Sequence, residues 1–320
     1  DLPLLPPASE LETKAVLKEA IEANRMLANL RGLAAQIPNQ GVLINSIVLQ
    51  EARLSSEIEN IVTTNDELYR ADAHADGATD AHTKEVLRYR EALKFGFDAL
   101  KNRPLTTNLF VDMVRIIKQQ DIGVRRTVGT ALKDAAGEVV YTPPVGEALL
   151  RDKLTNLEQF IHADDGLDPL VKMAVQHYQF EAIHPFDDGN GRTGRILNLL
   201  YLVQAGLLDI PVLFLSRYIM ANKAAYYAGL RAVTEQQAWE PWLLYMLRGV
   251  TSTAQQTFEQ VTRIRGLMEE VRARVQRDAP GIYSKDLIEV IFRHPYTKIQ
   301  FLVDAGLAKR QTASAYLQTL

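Results

Sequence analysis

Apolar residues recur every three to four positions along most of this chain, a rhythm that predicts amphipathic helices. Ser9 and Glu12 have the spacing of a capping box ahead of a run that ends at Leu33. Further helices are predicted over Gly41 to Arg53, Ser55 to Val62, Thr83 to Lys101, Thr107 to Gln119 and Gly146 to Ile161. Asp168 is placed to cap the next one, and Pro169 takes its first position, where the N–H that proline lacks has no intrahelical acceptor anyway. Two helical patterns follow, Leu170 to Ile183 and Arg192 to Gln204. The most apolar stretch, Ile196 to Leu215, is interrupted by Asn198, Gln204, Asp209 and Pro211, so it reads as a buried helix and not a membrane span. The rhythm fails twice. Asn65 to Asp80 is polar and predicts a loop. Gly123 to Pro144 holds two β-prone runs, Thr127-Val-Gly-Thr130 and Glu138-Val-Val-Tyr141, around Asp134-Ala-Ala-Gly137, which predicts a hairpin closed by Pro143-Pro144. The expected fold class is therefore mainly α with one small hairpin.

At 320 residues the chain is long enough for two or three domains. We expect divisions at 1–100, 101–250 and 251–320. A hydrophobic share of 47% and a charged share of 23% belong to a soluble globular protein, and a net charge of −3 argues against a surface that coats nucleic acid. The absence of cysteine excludes disulfides and thiolate metal sites and fits a cytoplasmic location. No signal peptide is visible, and the numbering opens at Asp1 without an initiator methionine, so residues are expected to precede it.

The chemistry concentrates in one segment, His184-Pro-Phe-Asp-Asp-Gly-Asn-Gly-Arg-Thr-Gly-Arg195, between two helical runs. A turn that opens a helix presents free N–H groups and a positive dipole end, which together attract an anion. Gly189 and Gly191 allow close backbone approach because neither has a Cβ. Arg192 and Arg195 fall on one face of the first turn. Cations at a helix N-terminus are unfavourable by themselves, so an anion is expected between them. His184 stands at the lip as a base that titrates near neutral pH. No Gly-x-x-x-x-Gly-Lys-(Ser/Thr) loop occurs, which removes the P-loop reading. His177 and His184 with Asp187 or Asp188 would imitate a metal site but leave the arginines and glycines unexplained; His177 reads as a packed core residue and Asp187 as a solvated neighbour.

This segment resembles the signature of the Fic family, His-x-Phe-x-(Asp/Glu)-Gly-Asn-Gly-Arg-x-x-Arg, at every position. The resemblance implies a Fic-type helical core and transfer of AMP from ATP to a hydroxyl of a target protein. It implies that His184 is the general base, Phe186 an apolar anchor and Asp188 the carboxylate that holds Mg2+ against the phosphates. Nucleotide contact is implied for Gly189, Asn190, Gly191, Arg192, Thr193, Gly194 and Arg195, with the two arginines on the β and γ phosphates. Downstream, Ser216 to Tyr227 resembles the family's segment near the nucleotide base, where Tyr227 and, more weakly, Asn222 are the candidates. Tyr226 and Tyr227 point in different directions, which allows one to pack the core while the other faces the pocket, with both as core residues a nearly equal alternative; Trp239 and Trp242 read as packing residues.

Upstream, Ser55-Ser-Glu-Ile-Glu-Asn60 reads in two ways. Ser56 with Glu59 has capping-box spacing and would start a helix. Ser55, Glu59 and Asn60 also resemble the inhibitory motif (Ser/Thr)-x-x-x-Glu-(Gly/Asn) of one Fic class, whose glutamate pairs with the last signature arginine, here Arg195, and blocks the γ-phosphate place. An Arg–carboxylate and an Arg–phosphate pair use the same fork, and the joint presence of both motifs favours inhibition. Whether Glu59 also positions a water to remove AMP is left open. The hairpin is similar to the Fic flap, with Thr127, Val128 and Gly129 as candidate contacts, and an unpaired edge invites pairing with a target backbone.

Helical patterns over Glu240 to Arg274 lead to a last unit, Asp278 to Leu320, with short helices at Ser284 to Phe292, Thr297 to Asp304 and Gln311 to Leu320. It resembles a winged helix whose wing would have to follow Leu320. Lys309 and Arg310 open its third helix, so DNA is one partner and a protein or dimer contact an equal alternative. The expected protein is a Fic adenylyltransferase held off by its own helix, with homodimerisation a family-level expectation and self-modification within its reach. Two alternatives stand beside it: a DNA-binding regulator that senses nucleotide, and a Doc-like kinase, disfavoured because Gly191 stands where those kinases carry lysine.

Overall fold

The computed structural model describes residues 2–37, 39–73, 80–133, 137–294 and 296–320. In chain order the helices are α1 (Lys14–Ala34), α2 (Gly41–Leu43), α3 (Leu49–Ile58), α4 (Asn65–Ala73), α5 (Ala81–Ala99), α6 (Thr107–Lys118), α7 (Glu147–His162), α8 (Pro169–Ile183), α9 (Asn190–Gln204), α10 (Leu215–Ala221), α11 (Lys223–Gln236), α12 (Trp239–Asp278), α13 (Lys285–Arg293), α14 (Ile299–Asp304) and α15 (Arg310–Thr319). Strands β1 (Leu132–Lys133) and β2 (Val139–Tyr141) pair antiparallel between α6 and α7, with Leu132 opposite Tyr141 and Lys133 opposite Val139. The architecture is mainly α, as the periodicity requires.

The centre is the pair α8–α9, buried over nearly all of both helices. Asp168 caps α8 by accepting from Leu170 N–H at 2.8 Å, and Pro169 follows it. Helix α1 lies along α12, a single rod of 40 residues and about 60 Å. Helix α3 packs on α5, α9 and α10, which brings its C-terminal end to the start of α9. The three C-terminal helices enclose their own small core of Leu287, Val290, Leu302 and Ala313. Gly306, at φ 70°, makes the turn between the last two, and no strand accompanies them among the described residues. Among the described residues, no helix is long and apolar enough to cross a membrane.

Several boundaries differ from the sequence expectation, each for a local reason. Helix α1 starts at Lys14 because Thr13 caps it, while Glu12 instead accepts from Asp168 N–H at 2.7 Å. Residues 41–58 form one helical rod with a π-helical stretch, Ile44–Val48, in place of two helices. Ser56 is therefore a buried helix-interior residue and caps nothing. The segment read as a loop contains α4, whose start has a capping box that composition concealed: Thr64 Oγ1 accepts from Glu67 N–H, and Glu67 accepts from Thr64 N–H. Residues 74–79 of that segment, and Asp134 to Ala136 of the hairpin turn, lie outside the described residues. The first strand falls at Leu132–Lys133 and not at Thr127 to Thr130. The apolar run Ile196 to Leu215 leaves the helix after Gln204 and is buried except around Gln204, Gly206 and Asp209.

Candidate active site

Helix α8 ends at His184, which takes a left-handed conformation (φ 49°, ψ 59°), and Gly189, at φ 85°, opens α9. Residues 184–189 form a tight loop held from inside. Phe186 is fully buried against Phe180, with ring centres 6.2 Å apart. Asn190 turns inward: its carbonyl oxygen accepts from Phe186 N–H at 2.8 Å and its amide donates to Phe186 O at 2.7 Å. Its side chain braces the loop from inside. The first N–H groups of a helix have no intrahelical acceptor, and Gly189 at φ 85° sets where those of α9 begin.

A cavity of about 1060 Å³ opens beside this loop. His184, Gly191, Arg195, Glu59, Asn60 and Tyr227 line it, and the hairpin residues Leu132 and Val140 cover one side. Tyr227 is 49% exposed, whereas Tyr226 is buried and meets His177 Nε2 through its hydroxyl at 2.9 Å. His177 is stacked on Trp242 and enclosed, as a core histidine should be. Gly191, Arg195 and Tyr227 reach the cavity wall, whereas Gly189, Asn190, Arg192, Thr193, Gly194 and Asn222 do not. Thr193 is buried in the core. A Cβ on Gly194 would stand 2.5 Å from Glu181, so its smallness serves the packing of α8 on α9. Asn222 is exposed at the junction of α10 and α11 and donates to Tyr218 O. Arg192, only 2% exposed, pairs with Glu85 and lies 3.5 Å from Asp188.

Arg195 holds the centre of the site. Its Nε donates to Ser55 Oγ and its Nη2 to Ser55 O, both at 2.8 Å, and Nη2 donates to Glu59 Oε1 at 2.9 Å. Arg195 is 2% and Glu59 36% exposed, so the pair spans the boundary between core and cavity. Burial disfavours the Arg195 charge, yet Glu59 and its other neighbours outweigh that and hold its pKa above the ordinary value. Glu59 sits past the C-terminus of α3 and Asn60 follows at φ 62°, a left-handed position that asparagine tolerates. Lys223 Nζ donates to Ile58 O at 2.8 Å and pins the same helix end. Gly191 lies directly beneath, where a Cβ would come 2.3 Å from Glu59 Oε1.

His184 is half-buried, and its pKa falls to about 4 because burial, then the Arg125 charge, disfavour the imidazolium. It is neutral at physiological pH and competent to accept a proton. Asp188 meets Lys118 Nζ at 2.5 Å; burial raises its pKa, but the bond from Lys118 and the charges of Lys118 and Arg192 prevail and lower it. Glu85, Lys118, Asp188 and Arg192 thus form an alternating ring of charges at the mouth of the loop. Glu181 lines the cavity with a buried, unpartnered Oε1, and burial lifts its pKa to about 7.

The flap is tied to the same loop. Arg125, 1% exposed, donates from its backbone to Pro185 O and from its side chain to His184 O at 2.7 Å, Pro144 O at 2.5 Å and Thr130 Oγ1 at 3.5 Å. Thr127 Oγ1 donates to Asp187 Oδ1 at 2.6 Å, and Tyr141 donates to Ala182 O at 2.9 Å. Of the flap candidates, Thr127 is therefore committed to the loop, while Val128 is 79% exposed and Gly129, at φ 82°, turns the chain. Glu85, Lys118, Arg125, Glu181 and Lys223 were not singled out from the sequence. Glu181 stands three residues before His184 and could have been; the others lie on separate elements, and nothing in their local pattern marks them.

Three family models match the chain: Fic/DOC family N-terminal over residues 17–98, Fic/DOC family over 104–202, and protein adenylyltransferase SoFic-like, C-terminal domain, over 267–320. The protein adenylyltransferase fic-1 of Caenorhabditis briggsae is 30% identical over 117 residues, which cover 33% of this chain and 22% of that protein. A probable protein adenylyltransferase of Aquifex aeolicus is 38% identical over 85 residues, 27% of this chain and 26% of that protein. These matches span only about a quarter of each relative. Among solved structures, a Fic family protein from Desulfovibrio desulfuricans superposes with a TM-score of 0.64 at 20% identity, over 98% of this chain and 90% of that one.

Proposed function

Because this chain belongs to the Fic family, we propose that it transfers AMP from ATP to a hydroxyl side chain of a target protein and that Glu59 restrains the reaction. The observation that carries this reading is the Glu59–Arg195 pair over Gly191, at the mouth of a helix N-terminus. A carboxylate on that guanidinium takes the place a terminal phosphate would use, since both present the same pair of oxygens. With Glu59 withdrawn, Arg195 and the N-terminal end of α9 are available to the phosphates. Tyr227 flanks the part of the cavity beyond them, where the base of the nucleotide would lie.

The reaction then needs few parts. The target oxygen attacks the α-phosphorus, its proton passes to neutral His184, and the bond to the bridging oxygen of the β-phosphate breaks with release of pyrophosphate. The flap holds the target backbone along its free edge. Asp188 would hold Mg2+: it is a half-exposed hard oxygen donor beside the phosphate place, and one carboxylate with phosphate oxygens is the set this ion takes. A bound ion would supply charge neutralisation to the phosphates at Asp188, whose oxygens also meet Lys118 and Arg192. Arg192 reaches a phosphate only by leaving Glu85.

Incubation with α-labelled ATP and Mg2+ tests the reading. Label on protein, increased by Glu59→Gly and lost with His184→Ala, supports it. Label that stays on nucleotide in both the parent and Glu59→Gly overturns it in favour of a nucleotide sensor, and transfer from γ-labelled ATP alone would indicate a kinase.

A further inference from the structure

The flap and the base are one mechanical unit. We infer that Arg125 is the positioning residue that couples them, so that a hydroxyl held along the flap edge is held in register with His184. This deepens the proposed AMP transfer and rests on it.

The warrant is where the donors of Arg125 go. A buried guanidinium is costly unless its N–H groups are satisfied. Here the three side-chain bonds end on two carbonyls and a hydroxyl, not on a carboxylate. Pro144 lies at the end of the flap segment and Thr130 just before β1, while His184 O and Pro185 O belong to the catalytic loop. One side chain therefore fastens both ends of the flap to each other and to the base. It is also absent from the cavity wall, so nucleotide binding does not need it. The planar fork matters: three acceptors in fixed directions fit a guanidinium and not the single ammonium of lysine.

Thr127–Asp187 and Tyr141–Ala182 add to the stitching at the surface. Neither reaches both ends of the flap, and neither touches His184. They stabilise the flap but do not set its register on the base. The left-handed backbone of His184 also needs an outside restraint, since a non-glycine residue there is strained. Arg125 supplies that restraint at the His184 carbonyl.

The test compares Arg125→Gln and Arg125→Lys in the full chain carrying Glu59→Gly, with ATP·Mg2+ as the probe. ATP affinity is measured by calorimetry, self-labelling at saturating α-labelled ATP gives the transfer rate, and amide exchange is followed at Val139 to Tyr141. Arg125→Gln is expected to slow transfer about a hundredfold, the scale of a misplacement near 1 Å, with ATP affinity unchanged within about twofold. Flap amides exchange at least about tenfold faster in both variants, because lysine cannot replace the fork. Loss of ATP affinity in parallel with rate, or flap protection equal to the parent, overturns the inference. If the Glu59→Gly parent transfers no label, the proposed activity fails, while amide exchange still decides whether Arg125 ties the flap to the loop. Should Arg125→Gln fail to fold, Arg125→Lys, which keeps the charge and the volume, carries the same measurements.

Discussion

Replacing Glu59 by glycine should strengthen ATP binding while leaving ADP binding nearly unchanged. The carboxylate meets Arg195 at 2.9 Å, and a γ-phosphate on that guanidinium must first displace it. An exposed ion pair is worth about 0.2–1 kcal/mol, and a hydrogen bond to a charged group about 1.5–3 kcal/mol. Glu59 is 36% exposed and Arg195 2%, so the pair belongs near the lower part of the second range. A displacement cost of about 1.5–2 kcal/mol corresponds to roughly a ten- to thirtyfold gain in ATP affinity when Glu59 is absent. ADP does not reach the γ place and should gain about twofold at most by this reasoning. The same substitution has a cost without ligand. Arg195 keeps its bonds to Ser55 but loses its only carboxylate partner among the described residues, so the ligand-free variant should melt lower, and saturating ATP should restore it. Calorimetric titration with each nucleotide, together with melting curves, measures both effects. Equal gains for ATP and ADP, or none for either, would refute the claim that Glu59 occupies the γ-phosphate place.

Three further outcomes follow from the same contacts. The acidic limb of the transfer rate should lie near pH 4 rather than at the ordinary histidine value, because burial and then Arg125 keep His184 neutral while Glu181, Glu59 and Asp188 oppose them only partly; a limb near 6.5 contradicts this. Glu51 is fully buried, and burial raises its pKa from 4.5 to about 7 against the bonds from Ser216, so the folded state holds a proton that the unfolded state has lost between those values. Stability should therefore fall as pH rises from about 4.5 to 7, and Glu51→Gln, which keeps an acceptor for Ser216, should flatten that slope in urea titrations. Asn190→Ala removes both bonds that brace Phe186 and should cost about 1–3 kcal/mol by denaturant titration, with transfer reduced because the loop loosens.

What could be read in advance and what could not divides along a physical line. The loop's shape was legible because its parts are consecutive: a glycine with positive φ at the helix start and an arginine in the turns after it are local consequences of local residues. The helices were legible for the same reason, and their errors were local too. Thr64 and Glu67 cap α4 inside a stretch whose composition suggested a loop, and Thr13 rather than Ser9 opens α1. The partners were a different problem. Arg192 meets Glu85 across 107 positions and Arg125 meets His184 across 59, and the period of a helix tells which residues share a face but not what that face will meet. Glu59 became visible only because its motif resembles a known companion of the loop, since its spacing alone suggested a helix start that the rod through Ile58 rules out. Arg192 and Arg195 come from one readable segment, whereas the glutamates that occupy them come from the end of α3 and from α5. A sequence of this kind announces what it can bind before it announces what already holds the place.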